Sequence, residues 1–189
     1  MSVTMDFYPR GWPLDLRVCP CDAEFVEYLD EQNIRGKAIF HFGTGEHHHV
    51  GIECSKRNNA VFGITASVQE IDAYTRLAIA DPEIVGHYTA FFGDIYMLDK
   101  RLLPNFDVVF LPHLSEFVPT PERRVLYGQM GDGELLDLLT SVSKPGALFV
   151  FYRGSRRYSA AKPSIREWMA KHFAQEAGEY KTLRICRLP

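Results

Sequence analysis

The chain has 189 residues, of which 46% are hydrophobic and 24% charged, and its formal net charge is -3 at pH 7. This length supports one well-filled core and is short for two, so we expect a single domain over residues 1–189. The slight negative charge argues against a protein devoted to nucleic acid or to anionic membranes. No leader pattern and no stretch of roughly 18 apolar residues is found, so we expect a cytoplasmic protein.

The four cysteines lie at positions 19, 21, 54 and 186. Their spacing matches neither a zinc-binding pattern nor the disulfide framework of a small secreted domain. Cys19 and Cys21 form only a CxC pair. We expect neither oxidation nor metal binding there, and the sequence predicts no metal site.

Residues 1–21 form an aromatic arm in which three prolines predict extended rather than regular structure. The aromatic side chains of Phe7, Tyr8 and Trp12 need a surface to cover. That surface is the body of the domain, the mouth of a pocket or a second subunit.

The core, residues 22–189, begins with a helix at 23–33, for which Asp22 is the expected N-cap. The next predicted elements, in chain order, are a strand at 37–43, a helix within 46–57, a strand at 60–65, a helix at 67–79 capped by Ser67, and a strand at 86–94.

The second half opens with "FDVVFLP", 106–112, whose nearly continuous apolar character predicts a strand buried on both faces. After it we expect a loop at 113–133, a helix at 134–143, a turn at 144–146, a strand at 147–153, a helix at 165–177 opened by Pro163 and Ser164, and an alternating strand at 180–188. Strands and helices alternate throughout. This predicts an α/β fold with a three-layer, doubly wound sheet, mostly parallel, with an antiparallel edge strand.

Five segments resemble, in order, the motifs of the class I S-adenosylmethionine-dependent methyltransferases, which have a Rossmann-like fold. "IFHFGTGE" resembles the opening strand and glycine turn, "FGITASVQEI" the second strand, "FFGDIYML" the third, and "FDVVFLPHL" with "LLTSVSKPGALFVFY" the fourth and fifth. The resemblance covers residues 22–187. It implies S-adenosyl-L-methionine as the cofactor, bound beyond the carboxyl ends of the strands.

The sequence departs from the family pattern at three positions. His41 replaces the acid two residues before the first glycine, His47 stands at the third glycine position, and Thr65 replaces the acid that closes the second strand and holds the ribose hydroxyls. Asp94 matches the third-strand acid near the adenine. Either nearby residues (Glu46, Gln69, Glu70 or Thr65 itself) replace the lost anchors, or the pocket no longer holds this cofactor.

The resemblance implies a set of cofactor contacts and a place for the methyl acceptor. The fourth strand ends in "LPHLSEF", where His113 is the candidate general base and Glu116 its orienting partner. An alternative for His113 is a surface histidine in a turn. The implied cofactor contacts are His41, Gly43, Thr44, Gly45, His47, Thr65, Ala66, Asp94, Ile95 and Leu111.

The run His47–His49 is a weak metal signal, because adjacent side chains on a helix point about 100° apart and cannot converge on one ion. Partners such as His41, Glu46 or His113 would be needed. We expect one or two of the three histidines to line the pocket and the rest to cap, pack or face solvent.

Three functions follow as hypotheses. The first is a methyltransferase acting on a hydroxyl or amine of a small metabolite or saccharide. The second is a non-catalytic binding or scaffold protein of the same fold that has lost or altered cofactor binding, and the third is a metal-assisted enzyme that uses the histidines. The aromatic arm and the last strand also offer surfaces for a homodimer.

Overall fold

A computed structural model describes residues 8–189, so Phe7 of the arm lies outside the described residues. The strands are β1 (Ala38–Phe42), β2 (Ala60–Thr65), β3 (Tyr88–Phe92), β4 (Phe106–Leu111), β5 (Ser143–Tyr152), β6 (Gln175–Tyr180) and β7 (Leu183–Arg187). The helices are α1 (Cys21–Glu31), α2 (His49–Ser55), α3 (Val68–Ala80), α4 (Pro121–Tyr127), α5 (Asp132–Ser141) and α6 (Tyr158–His172). Within the described residues, no helix is both long and apolar enough to cross a membrane.

All seven strands form one sheet in the order β3-β2-β1-β4-β5-β7-β6. Strands β1 to β5 pair in parallel, and β7 is antiparallel to both of its neighbours. Strand order reverses between β1 and β4, which leaves a crevice at the carboxyl ends of these strands. The mostly parallel, doubly wound sheet expected from the sequence is confirmed.

Helices cover both faces of the sheet and divide the core into two apolar clusters. On one face α1 packs on the sheet through Phe25, whose ring stacks on Phe110 of β4 at 4.1 Å between centroids. On the other face α6 packs through Trp168, whose ring centroid is 4.6 Å from that of Phe149 of β5. Large buried rings on both faces of the central strands explain why β4 and β5 read as continuous apolar runs.

Three local predictions in the core were wrong. The turn expected at 144–146 lies inside β5, which already begins at Ser143. Helix α1 starts at Cys21 with Pro20 as its N-cap, so Asp22 lies inside the first turn, and its side chain is buried rather than capping. The segment 113–133 contains helix α4, which Thr120 caps by accepting a hydrogen bond from the Arg123 amide. The prolines that suggested a loop fit a helix start, because Pro121 occupies its first position.

The C-terminal region also differs from the prediction. Helix α6 begins at Tyr158 with Pro163 inside it, and it ends at His172. The residues expected to continue this helix form strand β6 instead. Strand β6 lies at the edge of the sheet, so β7, the expected edge strand, is the second strand from that edge. Gln175–Tyr180 is exposed almost throughout and rich in helix-forming Glu, Gln and Ala, so neither periodicity nor propensity indicates a strand. Pairing with β7 determines its conformation, aided by the ion pair of Arg184 with Glu176 at 2.7 Å.

Candidate functional site

A cavity of about 320 Å³ lies at the carboxyl ends of β1, β2 and β4, where strand order reverses. Its volume falls at the lower end of the range of small-molecule sites. Nine of the twelve residues proposed from the sequence border it: Gly43, Gly45, His47, Thr65, Ala66, Asp94, Ile95, His113 and Glu116. The other three do not: His41 and Thr44 are buried behind the wall, and Leu111 faces the apolar core.

The glycine turn after β1 forms one wall of the cavity. Gly43 and Gly45 both have positive φ, +83° and +60°, a region that glycine adopts without steric cost. A Cβ on Gly45 would lie 2.3 Å from Nε2 of His47, whereas one on Gly43 would lie 3.4 Å from the His113 ring. The turn therefore depends on glycine, and most strongly at Gly45.

Replacement of Gly45 by Ala is expected to destabilise the protein by about 1–3 kcal/mol, because it combines a strained backbone with a clash against His47. The matched control is Gly133→Ala in α5, where nothing lies within 4 Å of the added Cβ and alanine favours the helix. Chemical denaturation of both variants measures the effect. Equal stabilities for the two variants would contradict this view of the turn.

Asp22 of α1 lies beside His41, the residue that stands at the end of β1 where the family pattern has an acid. Asp22 is buried and borders the cavity, and its Oδ1 lies 3.4 Å from Nε2 of His41, an ion-pair distance without hydrogen-bond geometry. Burial raises the pKa of Asp22, but His41 and His47 outweigh it and the net shift is downward. A carboxylate therefore occupies the site next to the glycine turn, although it comes from a different element.

The three consecutive histidines have three different environments. The ring of His47 borders the cavity, and its Nε2 lies 3.8 Å from Oδ2 of Asp22; burial is the main reason that its pKa is lowered. His48 points into the core, and His49 begins α2 and is half-buried. Only His47 of the run lines the cavity, in keeping with one pocket-lining histidine and two with other roles.

His48 is a buried histidine with both ring nitrogens satisfied. Its Nδ1 lies 2.7 Å from the Tyr88 hydroxyl, and its Nε2 lies 2.9 Å from the backbone oxygen of Glu70. Burial lowers the pKa of His48 from 6.5 to about 4. The groups around it are Tyr74, Tyr88, Glu70, His47 and His41.

Because the folded-state pKa of His48 is below its unfolded value, its contribution to stability is complete above pH 6.5 and is lost as pH falls toward 4. We expect this residue to remove up to about 3 kcal/mol of unfolding free energy over that interval. His48→Gln should flatten the pH dependence of the unfolding free energy between these limits. Urea unfolding as a function of pH checks this, and identical pH profiles for the variant and the unaltered chain would contradict it.

Glu70 of α3 provides a second carboxylate where the second-strand acid is missing. It is 2% exposed, and its Oε2 accepts hydrogen bonds from the hydroxyls of Thr65 at 2.7 Å and Thr44 at 3.2 Å. Its Oε1 accepts a bond from the backbone N–H of Trp12 at 3.3 Å. Burial raises the pKa of Glu70. Thr65 therefore positions a carboxylate at the cavity wall instead of supplying one.

Asp94 follows β3 and borders the cavity beside Ile95. Its Oδ1 accepts the backbone N–H of Tyr96 at 2.9 Å, and its Oδ2 accepts the side-chain amide of Gln129 at 2.6 Å. Both bonds fix the carboxylate, and each oxygen still has a second lone pair for an exocyclic amine. The position expected for an adenine-binding acid is therefore filled and rigidly held.

His113 follows β4 and also borders the cavity, and its Nδ1 lies 3.1 Å from Oε1 of Glu116. The same oxygen accepts a hydrogen bond from the Ser155 hydroxyl at 2.6 Å.

Cys19 and Cys21 lie beside His113, and their Sγ atoms are 3.3 Å apart. The hydrogen bond from Cys21, helped by His113, lowers the pKa of Cys19 to about 5. Burial lowers the pKa of His113, but Cys19 and Glu116 outweigh it and raise the pKa to about 10.

The N-terminal arm lines the cavity with Tyr8, Trp12 and Leu14, so of the three surfaces considered from the sequence it lies at the pocket. Tyr8 joins the core through backbone hydrogen bonds to Ala66 and from Val68, both near the end of β2. The rings of Tyr8 and Trp12 pack against Phe117, with centroids 5.1 and 6.0 Å away. Parts of the arm thus form one wall of the site.

The sequence did not indicate Asp22, Cys19 and Cys21 as site residues. Asp22 stands before an amphipathic helix, a place typical of an N-cap, and the cysteines precede that helix in an irregular arm. Their spatial partners His41, His47 and His113 lie on other elements. Only the packing of α1 against the ends of β1 and β4 brings them together.

No protein-family model matches this sequence, and no curated protein matches it. Many solved structures are similar in fold. The magnesium protoporphyrin IX methyltransferase from Synechocystis PCC 6803, solved with bound S-adenosylmethionine, aligns over 90% of this chain and 79% of its own, with 15% identity and a TM-score of 0.62. The N-methyltransferase NodS from Bradyrhizobium japonicum WM9, in complex with S-adenosylhomocysteine, aligns over 92% and 90%, with 12% identity and a TM-score of 0.63.

The CcbJ methyltransferase from Streptomyces caelestis aligns over 74% of this chain with 19% identity and a TM-score of 0.54, and the chain spans about half of its length, 51%. Identities this low establish a common architecture. The chain has the Rossmann-like α/β fold of the class I S-adenosylmethionine-dependent methyltransferases.

Proposed function

We propose that the protein is an S-adenosylmethionine-dependent methyltransferase that acts on a small molecule. One observation carries the proposal: three carboxylates, Asp22, Glu70 and Asp94, border a cavity at the switch point of the sheet, beside the Gly43 and Gly45 turn. Two of them, Asp22 and Glu70, lie near His41 and Thr65, the positions where this chain lacks the acids of the family pattern. The site therefore keeps the charges that such a cofactor needs, on different elements.

The residues at the glycine turn suit the amino-acid end of the cofactor. An ammonium group attracts a carboxylate, and Asp22 is a buried one whose lowered pKa keeps it ionised. The turn itself presents backbone without side chains at Gly43 and Gly45. His47, on the same wall, would lie near the cofactor carboxylate.

The other two acids suit the adenosine part. Glu70 has accepted three hydrogen bonds and keeps one acceptor site for a ribose hydroxyl. Asp94 would accept the exocyclic amine of adenine, with Ile95 and Ala66 as apolar neighbours.

The bound cofactor would supply an activated methyl group, so the protein's task is mainly to align an acceptor and exclude water. The arm and Phe117 line the cavity, whose volume of about 320 Å³ favours an acceptor of small size. His113, oriented by Glu116, is the sequence-based candidate for removing a proton from that acceptor. Its pKa of about 10 keeps the ring protonated at neutral pH, however, so it would have to lose that proton before it could act as a base.

The alternative of a scaffold protein without cofactor predicts a pocket filled by side chains. The ring of His47 lies on the wall and leaves a cavity of about 320 Å³, which supports ligand binding instead. The expectations of a cytoplasmic location and of a homodimer stay predictions.

Calorimetric titration with S-adenosylhomocysteine tests the proposal. We expect saturable binding by the intact chain and weaker binding by Asp94→Ala, because the exocyclic amine loses its charged acceptor. No binding at millimolar ligand, or binding unaffected by Asp94→Ala, would overturn the proposal in favour of the scaffold function.

A further inference from the structure

Three metal-ligating side chains meet on one wall of the cavity: Cys19 of the arm, Cys21 at the start of α1, and His113 after β4. One ligand atom from each lies within 4.8 Å of the other two. Among residues 8–189, no other group of three His, Cys, Asp or Glu side chains is placed to hold a metal ion. All three border the cavity.

The spacing of these atoms suits a tetrahedral ion. With zinc–sulfur bonds of about 2.3 Å, two thiolates on a zinc ion lie about 3.8 Å apart. The Sγ atoms of Cys19 and Cys21 are 3.3 Å apart, too far for a disulfide and slightly closer than two zinc ligands, so a small rotation of either side chain suffices.

The surroundings hold the ligands in place. Glu116 engages Nδ1 of His113 at 3.1 Å and is itself held by the Ser155 hydroxyl at 2.6 Å, which leaves Nε2 for an ion. Carboxylate–histidine pairs of this kind orient most metal-bound histidines. Cys21 is the first residue of the 11-residue helix α1, so the helix backbone fixes its position.

We propose that Cys19, Cys21 and His113 bind a zinc ion whose fourth coordination position opens into the cavity. Three protein ligands and one open position are typical of catalytic rather than structural zinc. An acceptor thiol or hydroxyl bound there would lose its proton more readily, because the ion stabilises the anion. This ligand set differs from the histidine run considered from the sequence.

The assignment of the acceptor rests on the proposed methyltransferase function, whereas the zinc site does not. With zinc bound, His113 is a ligand and the ion takes over activation of the acceptor. On binding to zinc the acceptor would release its proton to solvent, and the resulting thiolate or alkoxide would take the methyl group from the sulfonium sulfur of the cofactor, leaving S-adenosylhomocysteine. This narrows the acceptor to molecules with a thiol or hydroxyl group.

The test is metal analysis of the chain purified without an affinity tag, followed by zinc titration under reducing conditions. We expect about one zinc ion per chain, and cobalt(II) in its place should show the absorption bands of thiolate ligation. Glu116→Gln should weaken zinc binding by about 10- to 100-fold, and Cys19→Ser by more, since it removes a ligand.

Two controls separate this site from other binding. His49→Ala alters the histidine run, and Cys54→Ser alters a buried cysteine of α2; both should bind zinc as the unaltered chain does. The proposal would be overturned if the chain held no stoichiometric zinc or if its cobalt spectrum lacked thiolate bands. It would also be overturned if Cys19 and Cys21 formed a disulfide in place of metal uptake, or if Cys19→Ser bound zinc with unchanged affinity. S-adenosylhomocysteine titrated into the same samples separates loss of the zinc site from failure of the proposed function.

Discussion

Replacement of Asp22 by Asn is expected to weaken S-adenosylhomocysteine binding by about 10- to 100-fold, because a charge-assisted bond to the ligand's ammonium contributes roughly 1.5–3 kcal/mol. Asn keeps the size of the side chain and removes only its charge. The side chain is buried beside His41 and His47, so little solvent competes for it. Calorimetry with both proteins measures the change.

A second ligand identifies which part of the cofactor Asp22 contacts. 5′-Methylthioadenosine has the adenosyl group but no ammonium, so its affinity should be the same for the original chain and for Asp22→Asn. Asp107→Asn is the matched control. Asp107 is a partly buried aspartate of β4 that does not border the cavity, and its Oδ2 lies 2.7 Å from Nζ of Lys144. Equal losses of affinity for both ligands would show that Asp22 supports the fold rather than the ammonium.

Replacement of Glu70 by Ala is expected to reduce both stability and ligand affinity. The hydroxyls of Thr44 and Thr65 and the backbone N–H of Trp12 would lose their acceptor. Of these donors, Thr44 and Thr65 are buried. Buried donors left unpaired cost about 1–3 kcal/mol each, so we expect a loss of about 2–6 kcal/mol in unfolding free energy. Affinity for 5′-methylthioadenosine should fall as well, since Glu70 is assigned to the ribose.

The neighbouring Gln69→Ala is the control for this variant. Gln69 is exposed and accepts the Gly11 N–H at 2.9 Å, so it touches the same arm without bordering the cavity. Its replacement should change stability by less than about 1 kcal/mol and leave affinity intact. If Glu70→Ala behaved like Gln69→Ala, the network at the end of β2 would not support the site.

Much of the fold follows from local sequence patterns. Strand β2 matches its predicted bounds, and Ser67 caps α3 as expected, by accepting the backbone N–H of Glu70. These elements combine a clear apolar pattern with standard capping chemistry. Strand β6 has neither, because its exposed, helix-favouring residues become a strand only through pairing with β7.

The site was predictable where it depends on residues close in sequence. The Gly43 and Gly45 turn and Asp94 follow directly from strand ends and lie at the cavity. Asp22 was not predictable, because its role depends on the packing of α1 against the end of β1. The absence of an acid from one sequence motif therefore does not show that cofactor binding is lost, because another element can supply a carboxylate close by.

A crystal structure of the full chain with S-adenosylhomocysteine tests the central claim most directly. We predict the ligand in the cavity, with its ammonium on the Asp22 carboxylate, its ribose at Glu70 and its adenine beside Asp94. A cavity that stays empty at saturating ligand, or a ligand whose amino-acid end lies away from Asp22, would contradict this account of a cofactor site rebuilt from other elements.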